Sequence, residues 1–182
     1  MGRVEVIAGS MFSGKTEELI RRLTRATIAR QKVIVFKPKI DDRYSDDHIV
    51  SHDVSKLPCI GIDSIKEMLL HLQDQSVIGI DEAQFFEQDI VRIVTDLAAR
   101  GKRVILAGCD MYSSGEPFGH MGALMCIAED VEKLRAVCMM CGEEAYISYR
   151  KTQPQNGNIL IGNSDVYEAR CRKCAIRKDP VG

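Results

Sequence analysis

The run Gly9-Ser10-Met11-Phe12-Ser13-Gly14-Lys15-Thr16 fits G-x-x-x-x-G-K-[ST], the pattern of a phosphate-binding loop. Its flanks supply the context that pattern needs. An apolar, strand-like run, Val4 to Ala8, comes before it. An amphipathic stretch with Leu19, Ile20, Leu23, Ala26 and Thr27 on one side follows. In a strand–turn–helix unit of this kind, backbone N–H groups at a helix N-terminus face a polyphosphate, and the helix dipole favours the negative charge. Lys15 is then expected to reach the outer phosphates and Thr16 to contact magnesium.

A second constellation lies further along. Val77-Ile78-Gly79-Ile80 reads as a buried strand, and Asp81 and Glu82 follow at its end. The carboxyl ends of strands in an open α/β sheet open onto the ligand crevice. Asp81 is placed to serve the magnesium shell, and Glu82 to accept a proton. The pair alone does not choose the reaction. A glutamate here could activate water, as in an ATPase, or a substrate hydroxyl, as in a kinase. An ATPase acting on nucleic acid and carrying a zinc ribbon therefore stands as the alternative to a kinase.

Cys138-x-x-Cys141 and Cys171-x-x-Cys174 form two knuckles suited to a closed, tetrahedral, structural Zn²⁺ site. Four thiolates leave no open position for metal catalysis, so the zinc is expected to fix both ends of the loop between the pairs. Cys59, Cys109 and Cys126 lie in apolar surroundings and read as core thiols. Among the polar candidates, Asp41-Asp42-Arg43-Tyr44 follows a strand, where Arg43 could neutralise a transferring phosphoryl group. Phe85 and Phe86 follow the acidic pair, and Phe118 sits in Pro117-Phe118-Gly119; either could stack on a base or pack in the core.

These groups need an α/β scaffold. Val33 to Phe36, Val77 to Ile80 and Val104 to Ala107 are continuous apolar runs of the kind found in parallel sheets covered on both faces. Helical spacing joins Ile62, Ile65, Met68, Leu69 and Leu72 after a possible capping box, Ser64 with Glu67. It also joins Ile90, Ile93, Val94, Leu97 and Ala98, with Gly101 where a helix would stop. A further helix is expected over about Gly122 to Glu129. Strand-like pieces recur at Ala145 to Tyr149 and Asn158 to Ile161, and Arg177 to Gly182 reads as a frayed tail. Met1 to about Ala136 reads as a nucleotide-binding core, and 137–182 as a metal-stapled appendage. The length of 182 residues and the 45% apolar content suit one domain with a small addition. A net charge of −1 argues against a protein living on nucleic acid. The seven cysteines, with no signal-like or membrane-length apolar stretch, point to a reducing, cytoplasmic setting.

Taken together, the chain resembles the thymidine kinase family of the cellular, zinc-containing type. The resemblance rests on Met11-Phe12-Ser13-Gly14-Lys15-Thr16, Asp41-x-Arg43-Tyr44-Ser45, Ser51-His52-Asp53, Gly79-Ile80-Asp81-Glu82-Ala83-Gln84-Phe85-Phe86, Pro117-Phe118-Gly119 and both Cys pairs. It implies a RecA-like P-loop core, a homotetramer and a lasso between the Cys pairs that closes over a nucleoside. The activity implied is transfer of the ATP γ-phosphate to the 5′-hydroxyl of thymidine or deoxyuridine, a salvage step for DNA synthesis. By resemblance, Gly9 to Thr16 hold the triphosphate, Thr16 and Asp81 serve Mg²⁺, Glu82 is the general base, and Arg43, with Asp41 beside it, stabilises charge. Gln84 falls with the nucleotide-binding residues. Met11, Phe85, Cys109, Phe118, Ser148 and Tyr167 match positions around the base, and Ile161 and Gly162 match lasso positions whose backbone pairs with the pyrimidine edge. The chain departs from the family at Cys109 (usually leucine), at Ser113-Ser114 (commonly Phe-Arg, so an aromatic wall is expected to be missing), at Asn163 (usually glycine) and at Ser148 (frequently threonine).

Overall fold

The computed structural model describes residues 1–39, 48–50, 56–151 and 166–176, with backbone alone at 48–50 and 56. Asp41, Arg43, Tyr44, Ser45, Ser51-His52-Asp53, the Asn158 to Ile161 piece, Gly162, Asn163 and the 177–182 tail lie outside the described residues.

The strands are β1 (Arg3–Gly9), β2 (Val33–Pro38), β3 (His48–Val50), β4 (Lys56–Pro58), β5 (Ile60–Ile62), β6 (Val77–Ile80), β7 (Arg103–Gly108), β8 (Asp130–Leu134), β9 (Ala136–Val137), β10 (Glu144–Ala145), β11 (Ile147–Arg150) and β12 (Tyr167–Arg170). The helices are α1 (Lys15–Ile28), α2 (Met68–His71), α3 (Asp89–Ala99), α4 (Met121–Ile127) and α5 (Arg172–Ile176). Six strands form one parallel sheet in the order β5-β2-β6-β7-β1-β8. The acid-tipped strand β6 is thus one strand removed from the loop-bearing strand β1, with β7 between them.

Side chains alternate across this sheet and fill two cores. Ile7, Val35, Val77, Ile105 and Ala107 pack with Leu19, Ile20, Leu23 and Ala26 of α1. Val4, Val6, Ala8, Ile78, Ile80, Val104 and Leu106 pack on the other face with Ile90, Ile93, Val94 and Leu97 of α3 and Met121 and Leu124 of α4. Burial on both faces is why these strands read as unbroken apolar runs. Each buried Leu, Ile or Val contributes roughly 1.5–3 kcal/mol. Thr27 is exposed rather than part of the α1 stripe, and its hydroxyl donates to the Leu23 carbonyl at 3.1 Å.

Four local features differ from expectation. The helical spacing from Ile62 to Leu72 resolves into the end of β5, a 3-10 turn over Ile65–Glu67 and the single turn α2, with Leu69 and Leu70 exposed. The capping box is displaced: Ser64 Oγ accepts from Lys66 N–H, and the Glu67 carboxylate accepts from Asp63 N–H, one residue outside the box. The helix expected near Gly122 stops at Ile127, because β8 begins at Asp130 and pairs with β1. Cys59 is buried as expected, but Cys126 is exposed.

Beyond Leu134 lie two antiparallel pairs: β9 with β10 flanks the first cysteine knuckle, and β11 with β12 leads into the second. Their core is Ala136, Cys138, Ala145, Ala169 and Cys174, too little apolar area to hold such a module without a staple. Among the described residues no helix is long and apolar enough to cross a membrane.

The sheet's amino end is tied to α1 through one buried acid. Glu5, 2% exposed, accepts from Arg3 (2.7 Å), Arg22 (2.8 Å) and Arg103 (2.6 and 3.0 Å). Arg22 also reaches Glu18, Asp130 and Glu132. Burial alone would raise the Glu5 carboxyl, but the guanidinium groups of Arg103, Arg3 and Arg22 win and hold it at about 2. Such an acid stabilises the fold above its unfolded value near ~4.3 and loses that contribution as pH falls through its folded value. Glu5→Gln should therefore lower the unfolding free energy at pH 7 by about 3 kcal/mol, because it removes the buried charge that the half-buried Arg22 and Arg103 share. In denaturant titrations the gap from wild type should shrink as pH is lowered from about 4.5 toward 2, and a gap independent of pH would contradict this role.

Candidate active site

The phosphate loop leaves β1 and is wound back on itself. The Ser10 carbonyl accepts both Ser13 Oγ–H and Lys15 Nζ–H, each at 2.8 Å. Gly14 stands at the helix N-cap with φ 84°, a left-handed conformation that glycine adopts without Cβ strain. No side chain caps α1, so its first N–H groups stay directed at the crevice. Phe12 is exposed and also left-handed, with φ 64°.

Two strands away, the Asp81 N–H donates to Phe36 O at 2.9 Å, holding the acid at the carboxyl end of β6. Asp81 is buried, and its carboxylate lies 3.2 and 3.4 Å from Thr16 Oγ1. Burial first, then the charge of Glu82, pushes the Asp81 carboxyl well above the ordinary carboxylate range. Burial works against the Lys15 ammonium too, but Cys109, Glu82 and Asp81 raise it overall, so it stays charged. Lys15, Thr16, Asp81 and Glu82 are therefore one electrostatic unit, with a hydroxyl and a carboxylate side by side where a divalent cation would relieve the acid.

Glu82 takes φ 51° and ψ 41°, a rare conformation for a residue of its kind. That turn ends the strand and re-aims the side chain, whose carboxylate accepts from Gln84 Nε2–H at 2.5 Å. Gln84 is buried, and its Oε1 accepts the Cys109 N–H at 3.1 Å. Two glycines make room for it. A Cβ on Gly108 would fall 2.7 Å from Gln84 Oε1, and one on Gly119 (φ 51°) would fall 2.2 Å from the Gln84 carbonyl oxygen. Gln84, expected among the nucleotide-binding residues, is seen here as a brace between Glu82 and the end of β7.

Cys109 is buried as expected, but beside the Lys15 ammonium; burial pushes its thiol up, and the Lys15 charge opposes that rise. Phe86 packs in the core, whereas Phe85 stays half-buried and meets Phe118 edge-on at 5.4 Å between centroids. Tyr112 stacks on Phe118 at 3.9 Å, so an aromatic wall is present although Ser113 and Ser114 are exposed and small. Sequence reasoning missed Tyr112, although it lies one position before the expected aromatic. It also missed Asp110, buried at the end of β7 and paired with Lys133 at 2.6 Å, and Lys37, buried at the end of β2. Ser148 and Tyr167 are both buried, and Ser148 Oγ accepts the Met11 N–H at 2.9 Å.

Cys138, Cys141, Cys171 and Cys174 converge, their sulfurs all within 4.8 Å of one another. The Cys141 and Cys171 sulfurs are 3.8 Å apart, which matches the ~3.8 Å edge of a tetrahedron built on Zn–S bonds of ~2.3 Å. Backbone N–H groups of Cys171, Met140 and Cys141 outweigh burial and lower the Cys138 thiol, whereas neighbouring thiols raise Cys174. Thiols crowded this way fit a divalent zinc ion.

Comparison with known proteins agrees with this geometry. Residues 2–175 match the sequence profile of the family Thymidine kinase. Over 176 residues the chain is 49% identical to the thymidine kinase of Bacteroides thetaiotaomicron, covering 97% of this chain and 88% of that one. It is 50% identical over 173 residues to that of Bacteroides fragilis strain YCH46, covering 95% and 86%. It is 51% identical over 174 residues to that of a Rhodothermus species, covering 96% and 81%. With half its residues shared across nearly its whole length, the chain belongs to the thymidine kinase family.

Proposed function

We propose that the protein transfers the γ-phosphate of ATP to the 5′-hydroxyl of thymidine, and also of deoxyuridine, in pyrimidine deoxynucleoside salvage. The observation that carries this reading is the grouping of Lys15 and Thr16, after β1, with Asp81 and Glu82, after β6, across the end of the intervening strand β7 in a member of this family. Family membership does not favour the alternative of an ATPase acting on nucleic acid.

Gly9, Ser10, Met11, Phe12, Ser13, Gly14, Lys15 and Thr16 wrap the triphosphate with N–H groups and one ammonium. Thr16 and Asp81 hold Mg²⁺, which neutralises phosphate charge when bound. Glu82 takes the 5′-hydroxyl proton as the oxygen bonds to the γ-phosphorus and the bond to the β-phosphate oxygen breaks, leaving ADP and the monophosphate. The Gln84 brace keeps the Glu82 carboxylate at one place while the rest of its turn is strained. Arg43, with Asp41, adds charge stabilisation. The base lies against Met11, Phe85, Cys109, Phe118, Ser148 and Tyr167, with backbone pairing from Ile161 and Gly162. A wrong base edge would leave a buried polar group unpaired at a cost of ~1–3 kcal/mol. Zn²⁺ on Cys138, Cys141, Cys171 and Cys174 is structural. We divide the chain at about Ala136 into a phosphate-loop domain and a zinc-binding lasso domain, and expect a cytoplasmic homotetramer.

Three outcomes test this reading. With MgATP and a panel of deoxy- and ribonucleosides, ADP should form with thymidine and deoxyuridine; turnover that needs DNA or RNA instead would overturn the assignment. Glu82→Gln should lower kcat by roughly 10²–10⁴-fold while ATP still binds, and an unchanged kcat would remove Glu82 as the base. Elemental analysis should find about one zinc per chain, lost in Cys171→Ser together with a lower melting temperature. Zinc-free wild-type protein that melts and turns over normally would rule out the structural metal.

A further inference from the structure

The phosphate loop is held from outside as well as from within. Its Met11 N–H donates to Ser148 Oγ across 137 positions of sequence, at 2.9 Å. Ser148 is 7% exposed and sits on β11 directly opposite Ala169 of β12. The Ala169 carbonyl accepts the Met139 N–H at 2.9 Å, inside the first cysteine knuckle. β12 ends at Arg170, one residue before Cys171. The antiparallel pair β11–β12 therefore links the cysteine cluster, which β12 meets at Ala169 and Cys171, to Ser148 and through its hydroxyl to residue 11 of the loop.

The loop end of this link is a point of strain. Met11 lies between Ser10, whose carbonyl is already engaged by Ser13 and Lys15, and Phe12, a non-glycine residue at φ 64°. Such a conformation costs about 1–3 kcal/mol and persists where the surroundings over-determine it. An acceptor that fixes the Met11 N–H from a separate module is a determinant of that kind. The loop's other N–H groups can face phosphate only if this turn keeps its shape.

We propose that Ser148 is a positioning residue of the phosphate loop, through which the cysteine-anchored β11–β12 pair sets how well the loop takes a nucleotide's phosphates. This rests on reading the loop as the ATP site, and it gives Ser148 a task beyond contact with the base. Threonine at this position keeps an acceptor; alanine removes it; cysteine keeps the size but accepts weakly.

The test is calorimetric titration of ADP with Mg²⁺ into the zinc-loaded protein, without nucleoside. Ser148→Ala and Ser148→Cys should each weaken ADP binding about five- to tenfold, and Ser148→Thr should stay within about twofold of wild type, as expected for one lost acceptor. The cysteine variant, close to isosteric, keeps the result readable where alanine perturbs folding. Unchanged ADP affinity in all variants, with only the thymidine KM raised, would overturn the proposal and leave Ser148 as a base contact alone. Wild-type protein that binds no ADP would overturn the ATP-site reading itself, and this inference with it.

Discussion

A buried carboxylate is the constraint around which the site is arranged. Asp81 sits out of water at the end of β6, next to a second acid and within reach of one hydroxyl. Left alone, two such acids would repel and one would hold a proton. The Lys15 ammonium offsets part of that cost, and in turn Asp81, Glu82 and Cys109 keep Lys15 charged despite its burial. The arrangement is poised for a ligand that brings further positive charge to the acids and negative charge to the lysine, which describes a metal-bound triphosphate.

The topology delivers this unit and the packing holds it. β7 lies between the two functional strands, so its end supplies whatever fills the gap between loop and acids: Cys109 against Lys15, and the Cys109 N–H against Gln84. Gln84 is accommodated because Gly108 and Gly119 leave space where any side chain would collide. The same segment carries Tyr112 and Phe118 toward Phe85. The aromatic cluster, the brace and the strand end are consequently one packed body, and the cysteine-bearing module meets the loop at Met11.

How much of this is legible in the sequence depends on whether the signal is local. β1, β2, β6 and β7 are readable because both faces are buried, which leaves continuous apolar runs. The phosphate loop and the paired knuckles are readable because their chemistry demands fixed spacing. β8 is not, since it is an edge strand whose Asp130, Glu132 and Lys133 face water or ion pairs. The stretch after Ile60 misleads because helical spacing survives in a piece too short and too exposed to be a true helix. The brace by Gln84 and the contact of Ser148 with Met11 join residues 25 and 137 positions apart, and no periodicity reports such contacts. The Tyr112 stack on Phe118 puts an aromatic ring one position before the serine where the resemblance places one, and a match by position alone does not find it.

In the proposed reaction the left-handed turn at Glu82 aims its carboxylate at the acceptor alcohol while the glycine loop holds the donor. A crystal structure with a bisubstrate analogue, adenosine and thymidine joined 5′ to 5′ through a phosphate chain, measures this directly. A Glu82 carboxylate oxygen should lie about 2.6–3.2 Å from the thymidine 5′-oxygen, directly or through one water, with the phosphates against Lys15. A carboxylate turned away to a distance beyond one bridging water, with Gln84 still bound to it, would contradict the account.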